Sequence, residues 1–279
     1  MTAVTQSDLK RRQPIRITFV IGGIILLVAI FFAAFPGFVT PYDPSAFNYQ
    51  MLLQPPSLAH PFGTDNYGRD IFSRVVWGAR IDLQIALGGT LVPVIAGTAI
   101  GAIVGYYGGW LDALFGRVVD VVVAFPFLVL VITIIAVLGP GLLNMYIAIS
   151  AVGWIAYARL VRAEVMVQKQ KDYAAAGRVL GFRDRRIIFG HVLPNTLSAV
   201  IVYWMTDMAL VILLGSSLGY LGLGAQPPSP EWGVLVADGK NYMTTAWWVA
   251  TFPGLAIIVL GIGFSLFGDG IADFMRARQ

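Results

Sequence analysis

The sequence predicts an all-α, polytopic membrane protein with six transmembrane helices and both termini in the cytoplasm. Three observations carry that prediction. The 279 residues are 57% apolar and only 12% charged, where a soluble domain carries roughly a quarter charged. Ile17 to Phe35 runs for 19 residues without a charge, the length that a hydrocarbon core of about 30 Å asks of a helix. Five more apolar stretches of comparable length follow it.

Taken in order, Lys10, Arg11, Arg12 and Arg16 stand before the first run like the n-region of a signal peptide. The run is too long for an h-region and has no convincing small-x-small cleavage site, so residues 1–36 read as a basic arm with a retained anchor helix. Pro36, Pro41 and Pro44 then break the helical pattern, since each lacks an N–H and disfavours αR in the residue before it. Residues 37–82 form an external segment. Within it, Gly63-Thr64-Asp65 to Gly68-Arg69-Asp70 has turn chemistry and reads as a structural elbow, with direct substrate contact the alternative. The amphipathic stretch Ile71 to Leu83 is expected to lie along the membrane surface.

The remaining spans, within a core at 83–274, are drawn at Leu83–Tyr106, Leu114–Leu138, Leu142–Val161, Leu197–Leu218 and Trp247–Phe267. Gly97, Gly101 and Gly105 repeat every four residues in the second span, a stripe that lets helices approach closely in lipid. With the N-terminus inside, 15 Lys and Arg fall on the cytoplasmic side and 4 outside, which fixes the orientation. Trp110, Trp154, Trp232, Trp247 and Trp248 fall near the ends of these spans, as interfacial indoles do.

Two loops exceed mere connectors: an internal one at 162–196 and an external one at 219–246. The internal loop carries nine charges between Glu164 and Phe189 around Tyr173-Ala174-Ala175-Ala176-Gly177-Arg178. The alanines favour a short helix and Gly181 can end it in αL geometry. Its small side chains are expected to present a flat face to a second protein, with Arg178, Arg183, Arg185 and Arg186 offering charge to acidic partners. A basic helix resting on anionic lipid is the competing reading of the same composition.

Several residue types exclude chemistry. There is no cysteine, so no Cys-ligated metal and no thiol nucleophile. His60 and His191 lie 131 residues apart on opposite sides of the membrane in this topology and cannot share a metal. None of the four lysines is followed by Ser or Thr, so no phosphate-cradling P-loop exists and the chain is not an ATPase. Asp207 falls near the middle of the fifth span, where a carboxylate is turned toward a cavity or a partner; a pathway-lining role and a polar knot with another helix are both open. Asp120 is expected to pair with Arg117 one turn away.

Gly181 precedes Pro194 of His191-Val192-Leu193-Pro194-Asn195 by 13 residues. That interval resembles the EAA loop of type I ABC importer permeases. Ala175 stands where the family has its leading Glu and His191 where it has Ile; both substitutions resemble the dipeptide, oligopeptide and nickel branch. Further stretches resemble the C-type subunit of that branch: His60 to Asp65, Gly68-Arg69-Asp70, Gly78-Ala79-Arg80, Gly105 to Trp110, Leu221 to Pro228, Glu231-Trp232-Gly233, Ala246-Trp247-Trp248 and Gly268-Asp269-Gly270. Where that branch has an acidic residue three positions before Leu218, this chain has Gly215.

The resemblance implies a permease of the cytoplasmic membrane of a prokaryote, importing peptides as one half of a heterodimer with a homologous permease. It implies one or two ABC ATPase subunits holding ATP and magnesium, with no cofactor in this chain. It places coupling to those ATPases at Tyr173 to Arg178, Gly181, His191, Leu193 and Pro194. An extracytoplasmic solute-binding protein is implied too, and Gln226, Pro227, Pro228 and Trp232, in a stretch stiffened by prolines, are candidates to meet it. Membrane lipid is a partner and nucleic acid is not. The competing readings are an ion-gradient-driven secondary transporter, which would ask for more buried charge and an inverted repeat, and a permease of the same family carrying glutathione or nickel chelates.

Overall fold

The computed structural model describes residues 17–276. The basic arm, with Lys10, Arg11, Arg12 and Arg16, and Arg278 lie outside the described residues. Helix α1 spans Ile17–Ala34 and a single turn, α2, Pro36–Val39. The external segment follows without regular structure beyond an isolated bridge between Thr64 and Asp70.

Helix α3 runs unbroken from Ile71 to Tyr107, 37 residues, through Pro93. At 1.5 Å per residue it is about 55 Å long, well beyond the hydrocarbon thickness, so its first turns stand outside. This corrects the expectation that Ile71 to Leu83 lies along the membrane surface. Those turns are buried under the external segment and continue straight into the span, started by Asp70, whose side chain caps the amide of Ser73 at 2.7 Å.

The stretch expected to cross as one helix from Leu114 to Leu138 is two: α4, Gly109–Val123, and α5, Phe127–Leu138, bent by 81°. Pro126 is the cause, because it removes a ladder donor and pushes Phe125 out of αR. Helix α6 covers Leu142–Gln168. The internal loop holds α7, Asp172–Val179, and α8, Asp184–Ile187. A π-helical turn, Ile188–Val192, joins α8 to α9, Leu193–Tyr220. After α9, helix α10 spans Trp232–Gly239, and α11, Trp248–Arg276, completes the described chain. Among the described residues five helices are long and apolar enough to cross a membrane, or six where the bent α4–α5 pair counts as one span. No strand forms among the described residues.

The central pair is α3 against α6. A Cβ at Gly101 would lie 2.5 Å from the carbonyl oxygen of Ala158, so only glycine lets the two backbones come this close. The glycine stripe is therefore a packing device. Outside the bilayer, Asp65 accepts from Arg69 Nε and Arg74 Nη1, each at 2.6 Å, and Arg69 reaches Asp238 at the end of α10 at 3.4 Å. The segment from Gly63 to Asp70 is thus the structural elbow that ties the external chain to α3 and α10.

Candidate coupling loop and translocation cavity

The internal loop is built from its ends. Helix α6 stops at Gln168, and Lys169 folds back so that its ammonium donates to the carbonyls of Gly105 and Tyr106 at 2.8 and 3.0 Å, closing the C-terminus of α3. Tyr106 in turn donates its hydroxyl to Asp184 Oδ1 at 2.9 Å, and Arg178 donates to the carbonyl of Lys169 at 3.1 Å. Asp172 in the first turn of α7 and Arg178 in its last suit the helix dipole. Gly181 ends the helix at φ +71°: Phe182 N–H bonds Gly177 O and Gly181 N–H bonds Arg178 O, each at 3.0 Å, which is a Schellman motif. The αL stop expected at Gly181 is present.

The flat outward face expected of the alanines is corrected. Ala174 and Gly177 are buried and turned inward, Gly177 lying where a Cβ would touch Ile187, so the small residues seat α7 on the loop itself. Ala176 and Arg178 are exposed, and the residues most fully presented are Val179, 88% exposed, and Leu180, 69%. Periodicity in an eight-residue helix was too short to separate the two faces. Tyr173 and Ala175 are half-buried; the Tyr173 hydroxyl donates to Gln168 Oε1 at 2.9 Å, and burial raises its pKa above the usual phenol value.

His191 and Leu193 are half-buried and Pro194 is exposed. His191 Nδ1 sits 3.1 Å from Arg186 O, and its carbonyl accepts from Asn195 Nδ2 at 2.5 Å. Pro194 is the second residue of α9, a helix-start position where its missing donor breaks no bond within that helix, and the π-helical turn before it is closed by Leu193 N–H reaching back to Ile188 O.

Asp207 lies midway along α9. Tyr157 of α6 donates to its Oδ2 at 2.7 Å, and the Tyr157 ring meets Tyr203 edge to face with centroids 4.9 Å apart. The same carboxylate lines a cavity of about 340 Å³ between α3, α5, α6 and α9. Asp207 is thus knotted to Tyr157 and also borders this cavity. Arg117 and Asp120 are both exposed and form no ion pair; the paired carboxylate of α4 is Asp112, joined to Arg162 of α6 through two guanidinium nitrogens.

In the loop between α9 and α10, Gln226, Pro227 and Pro228 are exposed as expected. Trp232 is not: it is 4% exposed, and its indole donates to Val75 O at 2.8 Å, so it anchors α10 on α3 and is withdrawn as an external contact. Beside it lies a group that sequence reading passed over. Glu231 caps α10 by accepting from the amides of Gly233 and Val234 at 2.7 and 2.8 Å. Asp82 accepts from the Trp232 amide at 3.2 Å and from Ser216 Oγ at 3.4 Å. Both carboxylates are fully buried, and burial pushes Glu231 up to about 7. An acid immediately before a short helix is a legible cap signal; its meeting with Asp82, 149 positions earlier, is not.

Residues 97–279 match the model of the family described as binding-protein-dependent transport system inner membrane component. A dipeptide transport system permease protein of Alkalihalophilus pseudofirmus is 41% identical over 260 residues, covering 93% of this chain and 86% of that protein. A glutathione transport system permease protein of Pectobacterium atrosepticum is 40% identical with the same coverage. A di/tripeptide transport system permease protein of Pseudomonas aeruginosa is 40% identical over 265 residues, covering 92% of this chain and 88% of that one. With the multi-pass helical fold, these likenesses settle the family: the chain belongs to the inner membrane components of binding-protein-dependent transport systems, the permeases of type I ABC transporters.

Proposed function

We propose that this chain is one of two homologous permease subunits of an ATP-driven importer of short peptides, with both termini cytoplasmic. Its ATPase partners dock on the C-terminal end of α7, and the solute-binding protein docks at Gln226 to Pro228. ATP and magnesium reside on the ATPases. The observation that carries this reading is the presentation of α7: Val179 and Leu180 are extended into solvent on a loop held by Lys169, Tyr106 and Arg178 to the ends of α3 and α6. Exposed apolar residues beside a rigid tether suit a protein contact through which force passes. Peptide cargo is supported by the names of the relatives, dipeptide and glutathione permeases alike.

Two measurements test it. Because the chain has no cysteine, Leu180→Cys gives a single reactive position, and a short bifunctional crosslinker should join it to an ATPase subunit of the purified assembly. In proteoliposomes, peptide uptake should require ATP and the binding protein and survive an uncoupler. Uptake that continues without ATP, or that fails with the uncoupler while ATP remains, would give the molecule to the ion-gradient class.

A further inference from the structure

The cavity beside Asp207 has a chemistry that helix packing does not use. Its walls are small or apolar, with Gly89 and Pro93 from α3, Phe127 from α5 and Gly153 from α6, and Asp207 is the one charged side chain among its lining residues. Asp207 Oδ2 takes the Tyr157 hydroxyl, while Oδ1 accepts no hydrogen bond from the described residues. No Lys or Arg forms an ion pair with it among the described residues; Arg159, one turn along α6 from Ala156, is exposed and separate.

A carboxylate at mid-membrane depth is retained where it meets a cation or a moving charge. The space before this one is about 340 Å³, within the range of small-molecule sites and far more than one lysine side chain fills. Tyr203 and Phe127 add two aromatic rings to the lining, a side-chain type that attracts cations.

We infer that the cavity formed by Asp207, Tyr203, Phe127 and Gly153 is a cation subsite on the translocation route that receives the N-terminal ammonium of a peptide in transit. The inference rests on the proposed peptide-import function and adds to it the group recognised. Asp207 supplies the charge, Tyr157 holds the carboxylate in one orientation, and the apolar wall takes the adjoining side chain. The contact is a single ion pair with one free oxygen, weak enough for cargo to leave, as passage requires.

The test uses the complete transporter in nanodiscs with Leu210→Cys, a cavity-lining position in a chain otherwise free of cysteine. Modification of this chain by a cationic and by an anionic methanethiosulfonate is followed by mass spectrometry. The cationic reagent should react roughly tenfold faster, the enrichment a charged cleft gives, and Asp207→Asn in the same background should bring the ratio close to one. Alanyl-alanine should protect the cysteine and N-acetyl-alanyl-alanine should not, a comparison that needs no change at Asp207. A ratio that ignores Asp207→Asn, equal protection by both peptides, or a cysteine silent with and without ATP would overturn the subsite. Faster reaction with the anion would also overturn it, by placing a partner subunit's cation there. ATP-driven uptake measured on the same preparation separates the outcomes: if it persists while the ratio is flat, the subsite fails and the importer reading stands.

Discussion

Arg74 donates through Nη1 to Asp65 Oδ2 at 2.6 Å, and both side chains are almost wholly removed from water. Arg69 donates to the same oxygen at 2.6 Å, so two buried guanidiniums share one buried carboxylate as their nearest counter-charge. Asp65→Asn removes the closer and more buried of their two counter-charges and should cost about 3–5 kcal/mol. Asp238 touches the same arginines at 3.4 and 3.6 Å and is 29% exposed, so Asp238→Asn should cost no more than about 1 kcal/mol. Chemical denaturation of the two variants in detergent compares them directly, and equal losses would show that the elbow is not centred on Asp65.

Glu231 yields a pH prediction with a definite sign. Its folded value is raised from 4.5 to about 7, by burial first, against the opposing amide bonds of Gly233 and Val234. Between those values the folded protein holds a proton that the unfolded chain releases, so the stabilisation is complete below about 4.5 and disappears as pH rises through about 7. The loss between pH 4.5 and 8 is at most roughly 3 kcal/mol. Glu231→Gln removes this titration, and its melting temperature in detergent should change less than that of the natural protein between pH 5 and 8. An identical slope in both would assign the pH dependence to another group.

How much of this was legible in the sequence follows from range. The glycine stripe and the αL stop at Gly181 depend on neighbours within a turn or two, and each is found where its local pattern placed it; most of the apolar runs are helical as well, though not always with the expected ends. The break at Pro126 is equally local and was readable; the length of the apolar stretch outweighed a single proline. By contrast, Trp232 beside prolines reads as exposed, and only the arrival of Val75, 157 positions away, makes it buried. Asp207 shows the same limit, since Tyr157, which orients it, belongs to a different helix 50 positions distant. Asp112 likewise finds Arg162 on a different helix 50 positions away, while the local pair expected at Arg117 and Asp120 is not formed.

Gly181 adopts φ +71°, a conformation that costs a β-branched residue at least about 1–2 kcal/mol. Gly181→Val should therefore undo the Schellman end of α7 and turn Val179 and Leu180 away from their present direction. In the proposed coupling role the variant hydrolyses ATP but transports poorly, whereas Gly181→Asn, which tolerates αL geometry, keeps most of the transport. Measuring hydrolysis and uptake on one proteoliposome preparation gives the ratio needed, and normal transport by Gly181→Val would remove this end of α7 from the contact.

Lys169 tests whether the loop is a lever or only a docking pad. Its ammonium spans the carbonyls of Gly105 and Tyr106, and its own carbonyl receives Arg178, so α7 is bonded through one residue to the end of α3. Charge-assisted hydrogen bonds of this kind contribute about 1.5–3 kcal/mol each. Lys169→Met keeps much of the apolar stem and removes both donors. It should speed amide hydrogen exchange across Asp172–Val179 and lower the uptake obtained per ATP hydrolysed, while crosslinking of Leu180→Cys to the ATPase persists. Lys169→Arg restores a cation and should recover part of both readouts. If exchange quickens and uptake per ATP is unchanged, force reaches the bundle by another route, and the continuous helix through Pro194 into α9 is then the element that carries it.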